Sequence, residues 1–200
     1  MKEFITYNMV RDNGLLLARK MYDEQYIPDI IYTSMRGGAY LGNIISEFFK
    51  LVYKNEKRIL YSTVVAHSYS SVRENTEVIL DGWTFPPEKL PPDSSILIVD
   101  DIFDSGATIN FLVNDLINRG LHKENIKVAV HDYKYFHNRK KQYGIQPDYW
   151  CRKHDIHNDD EDVWIHYMSH ELVGLSETEL EEYYYKRNPA LRAVFKGISL

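Results

Sequence analysis

The run Ile96-Leu97-Ile98-Val99-Asp100-Asp101-Ile102-Phe103-Asp104-Ser105-Gly106-Ala107-Thr108 holds the densest chemistry of the chain. An apolar stretch ends in two adjacent acids, which at the end of a strand can face a sugar diol or a hydrated cation. Asp104 to Thr108 then lead into a helical pattern. Small residues let the backbone approach a ligand closely, hydroxyls donate, and a helix N-terminus favours an anion. One loop thus offers a polyol-binding edge and a monophosphate cradle, a few ångströms apart by chain reach. It is not a Walker loop, because the Gly-Lys-Ser/Thr element is missing.

These residues need elements to hold them. Ser95–Val99 is a continuous apolar run, the pattern of a central parallel strand covered on both faces. Beyond the loop, Ile109, Leu112, Val113, Leu116 and Ile117 fall at helical spacing, with Gly120 where a C-cap belongs. Upstream, Thr6 is placed to cap a helix whose apolar face is Leu15, Leu16, Leu17, Ala18 and Met21. Asp29–Thr33 reads as a short buried strand. It runs into Met35-Arg36-Gly37-Gly38 and a helix striped by Leu41, Ile44, Ile45, Phe48 and Phe49. Residues 58–66 and 76–80 read as strands around a polar stretch, His67 to Asn75, and Lys127–His131 starts another strand. Alternating strands and helices imply an α/β fold with a mostly parallel central sheet flanked by helices. Ligands in such sheets bind at the carboxyl ends of the strands, here Met35–Gly38 and Asp100–Thr108. Ser176 with Glu179 forms a capping-box pattern for a helix reaching Arg187, and 172–200 read as a C-terminal helical appendage.

Composition narrows the function. The chain has 200 residues, enough for one domain with an appendage. Apolar residues are 44% and charged residues 26%, which excludes a disordered or collagen-like chain. Lys plus Arg is 24 against 29 Asp plus Glu, a net charge of −5 that argues against salt-driven nucleic-acid binding. Anionic small molecules stay open, since backbone N–H groups can hold a phosphate. The single cysteine, Cys151, forms no intrachain disulfide and points to a reducing compartment. No run approaches the roughly 18 apolar residues of a membrane helix. Met1–Tyr7 lacks the features of a signal peptide, so a cytoplasmic location is expected.

The run from Ile96 to Thr108 resembles the phosphoribosyl-pyrophosphate motif of the type I phosphoribosyltransferases. That motif is four apolar residues, two acids, two apolar residues, Asp/Glu, Thr/Ser, Gly, any residue and Thr/Ser, and every position is matched. The similarity spans about residues 4–172. It is closest to the purine-salvage branch, the hypoxanthine-guanine and xanthine-guanine enzymes. Met35–Gly38 resembles that branch's pyrophosphate loop, Ser68-Tyr69 its lid pair, and Pro147-Asp148-Tyr149 with Trp164-Ile165 its purine-site region.

The resemblance implies a phosphoribosyltransferase domain over 1–172, with a small hood from the N-terminal residues and about 134–171, and a helical tail at 173–200. It implies that a 6-oxopurine and phosphoribosyl pyrophosphate give nucleoside 5′-monophosphate and pyrophosphate. Asp100 and Asp101 would hold the ribose hydroxyls and organise Mg²⁺, which neutralises the leaving pyrophosphate. Mg²⁺ keeps several waters, so a carboxylate pair suffices. Asp104 would be the general base, and Ser105, Gly106, Ala107 and Thr108 would hold the 5′-phosphate. Arg36 and Gly37 would contact pyrophosphate, with a cis peptide expected near Met35-Arg36, and Arg73 would reach it from a lid at His67–Asn75. Trp164 would stack on the purine while the Ile165 backbone reads its edge. Lys134 would meet the 6-oxo group, with Lys140 and Lys141 as competitors, and Glu171 would bind a second Mg²⁺. For Arg73 and Glu171 a solvated charge reads equally well. Relatives suggest a homodimer or homotetramer.

Two departures stand out. Met168-Ser169-His170-Glu171 replaces the Pro-Trp-acid end of the bacterial and archaeal enzymes, which leaves open the choice among guanine, xanthine and hypoxanthine. Arg152–Asp162 is a polar insertion read as a solvated loop rather than a metal site. Two other readings remain at this stage: a regulator of the same fold that binds ligand without turnover, and an enzyme acting on a pyrimidine or modified base.

Overall fold

In chain order the elements are β1 (Lys2–Ile5), α1 (Tyr7–Asp23), β2 (Ile30–Met35), α2 (Ala39–Val52), β3 (Leu60–Ser70), β4 (Thr76–Trp83), β5 (Ile96–Phe103), α3 (Ala107–Asn118), β6 (Ile126–Phe136), β7 (Tyr149–Ile156), β8 (Trp164–Tyr167), α4 (Glu177–Leu180) and α5 (Leu191–Phe195). The computed structural model describes residues 2–54, 56–70, 76–138 and 143–198. Six strands form one sheet in the order β4-β3-β2-β5-β6-β7, parallel except for the β3–β4 hairpin. β5 is central, as its unbroken apolar run requires. Its alternate residues serve opposite faces: Leu97 and Val99 pack with α1 and α2, while Ile96 and Ile98 pack with α3. Among the described residues no helix is long and apolar enough to cross a membrane.

Thr6 caps α1 by accepting from the Met9 N–H at 3.3 Å, and the α2 stripe is buried at Leu41, Ile44, Ile45 and Phe49. The expected α1 face needs correction. Val10, Gly14, Leu17, Ala18 and Met21 are the buried positions, whereas Leu15 and Leu16 are 43% and 70% exposed. Consecutive leucines cannot all share one helical face.

Three strands run further than expected. β5 continues through the two acids to Phe103, and β6 continues past His131 to Phe136. β3 passes His67 to Ser70, so the first part of the supposed lid is a strand. Met35 pairs with Val65, and Ala66–Ser70 pair onward with β4 alone. The polar insertion also needs correction, because Arg152–Ile156 belong to β7, the edge strand beside β6. Charged side chains suit an edge that must resist pairing with other chains. Pro147–Tyr149 lead into β7 beside the start of β6, at the other end of the strands from the Asp100–Thr108 loop. Asp148 ties Lys127 and the Val128 N–H at the start of β6, and Tyr149 is buried in the α1–α2 core.

A separate two-stranded parallel sheet, β1 with β8, forms the hood, with Glu3 opposite Ile165. It is smaller than the expected 134–171, since the rest of β6 and all of β7 stay in the main sheet. The tail docks on this hood. The Ser176–Glu179 capping box forms, α4 runs directly into a π-helical turn at Glu181–Tyr185, and Leu175, Leu180, Tyr184 and Tyr185 bury with Met168 and Phe4. Lys2 pairs with Glu179 at 2.8 Å and Phe4 stacks on Tyr183 at 3.8 Å.

Candidate functional site

Adjacent parallel strands bring the two candidate loops together. β2 and β5 pair with Thr33 opposite Val99, so Met35–Gly38 and Asp100–Thr108 emerge side by side. The Met35–Arg36 peptide is cis and the Arg36 side chain is exposed. Gly37 lies against Asp101: a Cβ there would stand 2.3 Å from Asp101 Oδ1. The turn into α3 depends on Gly106, whose φ of +84° and closeness to Phe103 leave no room for a side chain. Ser105 Oγ accepts from the Ala107 N–H at 3.3 Å, and Asp104 and Ser105 are exposed at the helix start while Ala107 is buried and Thr108 half-buried.

The two adjacent acids differ. Asp100 is buried, and burial, with the Asp101 charge beside it, holds its carboxyl well above the usual carboxylate range. The Asp101 N–H and the Ser34 hydroxyl oppose that shift. Asp101 accepts from the Ile102 N–H at 2.8 Å and faces His170 Nε2 at 3.1 Å. Two carboxyls so placed suit a divalent cation, which would relieve the repulsion. Among the described residues no group of three or more His, Cys, Asp or Glu could hold a metal ion. A magnesium ion fits here only as a partly hydrated one shared with ligand oxygens.

The hood comes down on this pair. Trp164 is 61% exposed, so it is not a core residue, and its indole N–H favours the charged form of Glu171. Ile165 is buried, and β8 is paired with β1 alone among the described strands. Tyr167 places its hydroxyl 3.0 Å from the Asp101 carbonyl. Glu171 also meets His166 Nδ1 at 3.2 Å and His170 Nε2 at 4.0 Å, so it approaches Asp101 by way of His170. Burial raises its pKa despite the His170 charge and the Trp164 N–H.

Lys134 is buried on β6 with its ammonium 2.5 Å from Asp162 Oδ1. Ser68 and Tyr69 lie on β3 opposite Val78 and Glu77. Arg73, Lys140 and Lys141 lie outside the described residues. Sequence reasoning missed His170, Tyr167 and Asp132 as site neighbours. Only His170 left a trace, at the Met168–Glu171 departure.

A parallel α/β sheet whose central strand ends in two acids, a glycine turn and a helix N-terminus defines a nucleotide- or sugar-phosphate-binding protein. The family comparison is more specific: the phosphoribosyl transferase domain matches residues 8–170. The chain belongs to the phosphoribosyltransferase family and has its type I fold. Solved structures agree on the fold. A purine phosphoribosyltransferase from Pyrococcus horikoshii is 20% identical with a TM-score of 0.64, covering 88% of this chain and 99% of that one. A Neisseria gonorrhoeae protein with bound ppGpp is 21% identical at 0.66, covering 86% and 91%. The Helicobacter pylori xanthine-guanine-hypoxanthine phosphoribosyltransferase is 20% identical at 0.56, covering 84% and 92%. No curated protein matched the chain by sequence.

Proposed function

We propose that the protein is a purine phosphoribosyltransferase acting on a 6-oxopurine, hypoxanthine, guanine or xanthine, and phosphoribosyl pyrophosphate. One observation carries this reading. An exposed tryptophan, a ready stacking platform, sits on a strand whose Tyr167 reaches the Asp101 main chain at 3.0 Å. A flat heterocycle and a ribose thereby acquire adjoining seats.

Asp100 and Asp101 hold the ribose hydroxyls, and Ser105–Thr108 at the start of α3 hold the 5′-phosphate through hydroxyls and backbone N–H groups. Asp100 and Asp101 would hold a partly hydrated Mg²⁺, which would supply charge neutralisation on the pyrophosphate. Arg36 and the Gly37 backbone receive that group from the β2 side. Trp164 stacks on the base, and Lys134, turning part of its ammonium from Asp162, donates to the 6-oxo oxygen. The base's N9 attacks C1 of the ribose as the C1–O bond to pyrophosphate breaks, and Asp104 accepts the proton released from the ring. Such positioned proton transfer is worth about 10²–10⁴ in rate.

The test is a base panel. Guanine, hypoxanthine and xanthine are each incubated with Mg²⁺ and phosphoribosyl pyrophosphate, and the nucleotide product is separated and counted. Nucleotide from at least one base is expected; none from any of the three refutes the purine reading. Asp104→Asn separates enzyme from sensor, because an enzyme loses turnover while ligand binding persists.

A further inference from the structure

Among the described residues outside the motif, Asp132 on β6 is heavily hydrogen-bonded, fully buried and opposite Ile102, two residues beyond the level of Asp100. Its Oδ2 receives His131 Nδ1 at 2.6 Å and the Tyr167 hydroxyl at 2.5 Å. Its Oδ1 receives His154 Nε2 at 2.6 Å and lies 3.4 Å from Arg152 Nε. A buried carboxylate is costly unless its lone pairs are filled. Here the fillers come from β6, β7 and the hood strand β8. Burial pushes its pKa up, but the hydrogen bonds of His131 and His154, the His131 charge and the Tyr167 hydroxyl together hold it below the usual range. The carboxylate is therefore a fixed negative charge at working pH.

Both hood strands end on this charge. β8 arrives directly, through Tyr167. β1 arrives through Glu3, whose Oε1 is 2.5 Å from Arg152 Nη2. Glu3 and Ile165 are opposite each other in the hood sheet. Helix α1 joins as well, since Asn13 Nδ2 donates to His131 Nε2 at 3.1 Å. The Tyr167 hydroxyl lies 2.5 Å from Asp132 Oδ2 and 3.0 Å from the Asp101 carbonyl oxygen, two acceptors for one donor. One phenol thus touches the hood's anchor and the backbone of the ribose-holding acid together.

We propose that Asp132 is a positioning residue that fixes the base-binding strand relative to the ribose-binding acids, acting through Tyr167 on β8 and through Arg152 and Glu3 on β1. The kinetic part rests on the purine phosphoribosyltransferase reading. Reacting atoms must meet near contact distance, and a shift of about 1 Å can cost about a hundredfold in rate. A hood of two short strands cannot hold that tolerance by its own pairing. A charge with several directional donors can.

Tyr167→Phe removes the hydroxyl and keeps the ring, so it tests the link without emptying the core. Asp132→Asn tests the hub. Amide hydrogen exchange of the wild type and both variants is measured peptide by peptide, followed by steady-state kinetics with the best base of the panel. In Tyr167→Phe, exchange should quicken at Lys2–Ile5 and Trp164–Tyr167 while β2 and β5 keep their protection. Its kcat/KM for the base should fall about tenfold to a hundredfold. Binding of phosphoribosyl pyrophosphate without base should change little. The double variant should be no worse than the poorer single one, as for two members of one link.

Unchanged hood exchange in Tyr167→Phe overturns the proposal, and so does faster exchange with unaltered kcat/KM. If Asp132→Asn does not fold, Tyr167→Phe decides alone. If the wild type converts no purine, the functional reading falls separately, and hood exchange still decides whether Asp132 is the anchor.

Discussion

Gly37→Ala offers a sharp test of how the two loops are fitted together. The added Cβ would lie 2.3, 2.4 and 2.5 Å from Asp101 Oδ1, Cγ and Oδ2, against an ordinary contact of at least 3.4 Å. The carboxylate must therefore withdraw by about 1 Å, the difference between 3.4 and 2.3 Å. It is not free to do so, because Oδ1 accepts from the Ile102 N–H at 2.8 Å and Oδ2 faces His170 at 3.1 Å. Overpacking of this kind costs about 1–3 kcal/mol. A middle value of about 2 kcal/mol lowers the melting temperature of a chain this size by about 5 °C. Moving Asp101, the acid proposed to hold the ribose, by about 1 Å should cost about a hundredfold in kcat/KM for phosphoribosyl pyrophosphate. Denaturant unfolding and steady-state kinetics read the two effects. The cause is isolated by repeating Gly37→Ala in an Asp101→Ala background, where the stability penalty should nearly vanish. Equal penalties in the two backgrounds, or a Gly37→Ala protein as stable and active as the wild type, would refute the argument.

Trp164→Ala should leave thermal unfolding nearly unchanged, because the side chain is 61% exposed. It should raise the base KM about tenfold, from a ring contact worth about 1.5 kcal/mol; Trp164→Phe should recover most of that, and an unaltered KM in the alanine variant would remove Trp164 from the base site. The tail should respond to acid through Glu179. The Lys2 ammonium, then the Ser176 N–H, hold its carboxyl down at about 2 against burial, from an ordinary 4.5. A folded pKa below the unfolded one gives stabilisation that is complete above about 4.5 and lost as pH falls toward about 2. The melting temperature of Glu179→Gln should therefore lie below that of the wild type at pH 5, with the gap closing across that window; a gap that does not change with pH would contradict it.

What could be read without coordinates was whatever the chain keeps contiguous. The central strand, its two acids, the glycine turn and the helix start lie within Ile96–Thr108, so their types and spacing dictate their geometry. The α2 stripe and the Ser176–Glu179 cap were legible for the same reason: local periodicity and local hydrogen bonds leave local signatures. β7 was hidden because Arg152, Lys153, His154 and Asp155 look like a solvated loop. An edge strand tolerates such residues, and a buried carboxylate on the neighbouring strand gives two of them partners. The exposure of Leu15 and Leu16 likewise depended on where α2 packs.

The sequence by itself determined the sheet's centre, the glycine turn into the α3 N-terminus and the family of the fold. Only the tertiary structure decided that Gly37 presses on Asp101, that His170 faces the same acid, and that Tyr167 and Arg152 bring the hood to Asp132. These contacts join residues about 20 to 70 positions apart in the chain, and the Glu3–Arg152 pair beside them spans 149. No local pattern encodes them, because they follow from which strands lie side by side and from the need of each buried charge for a partner.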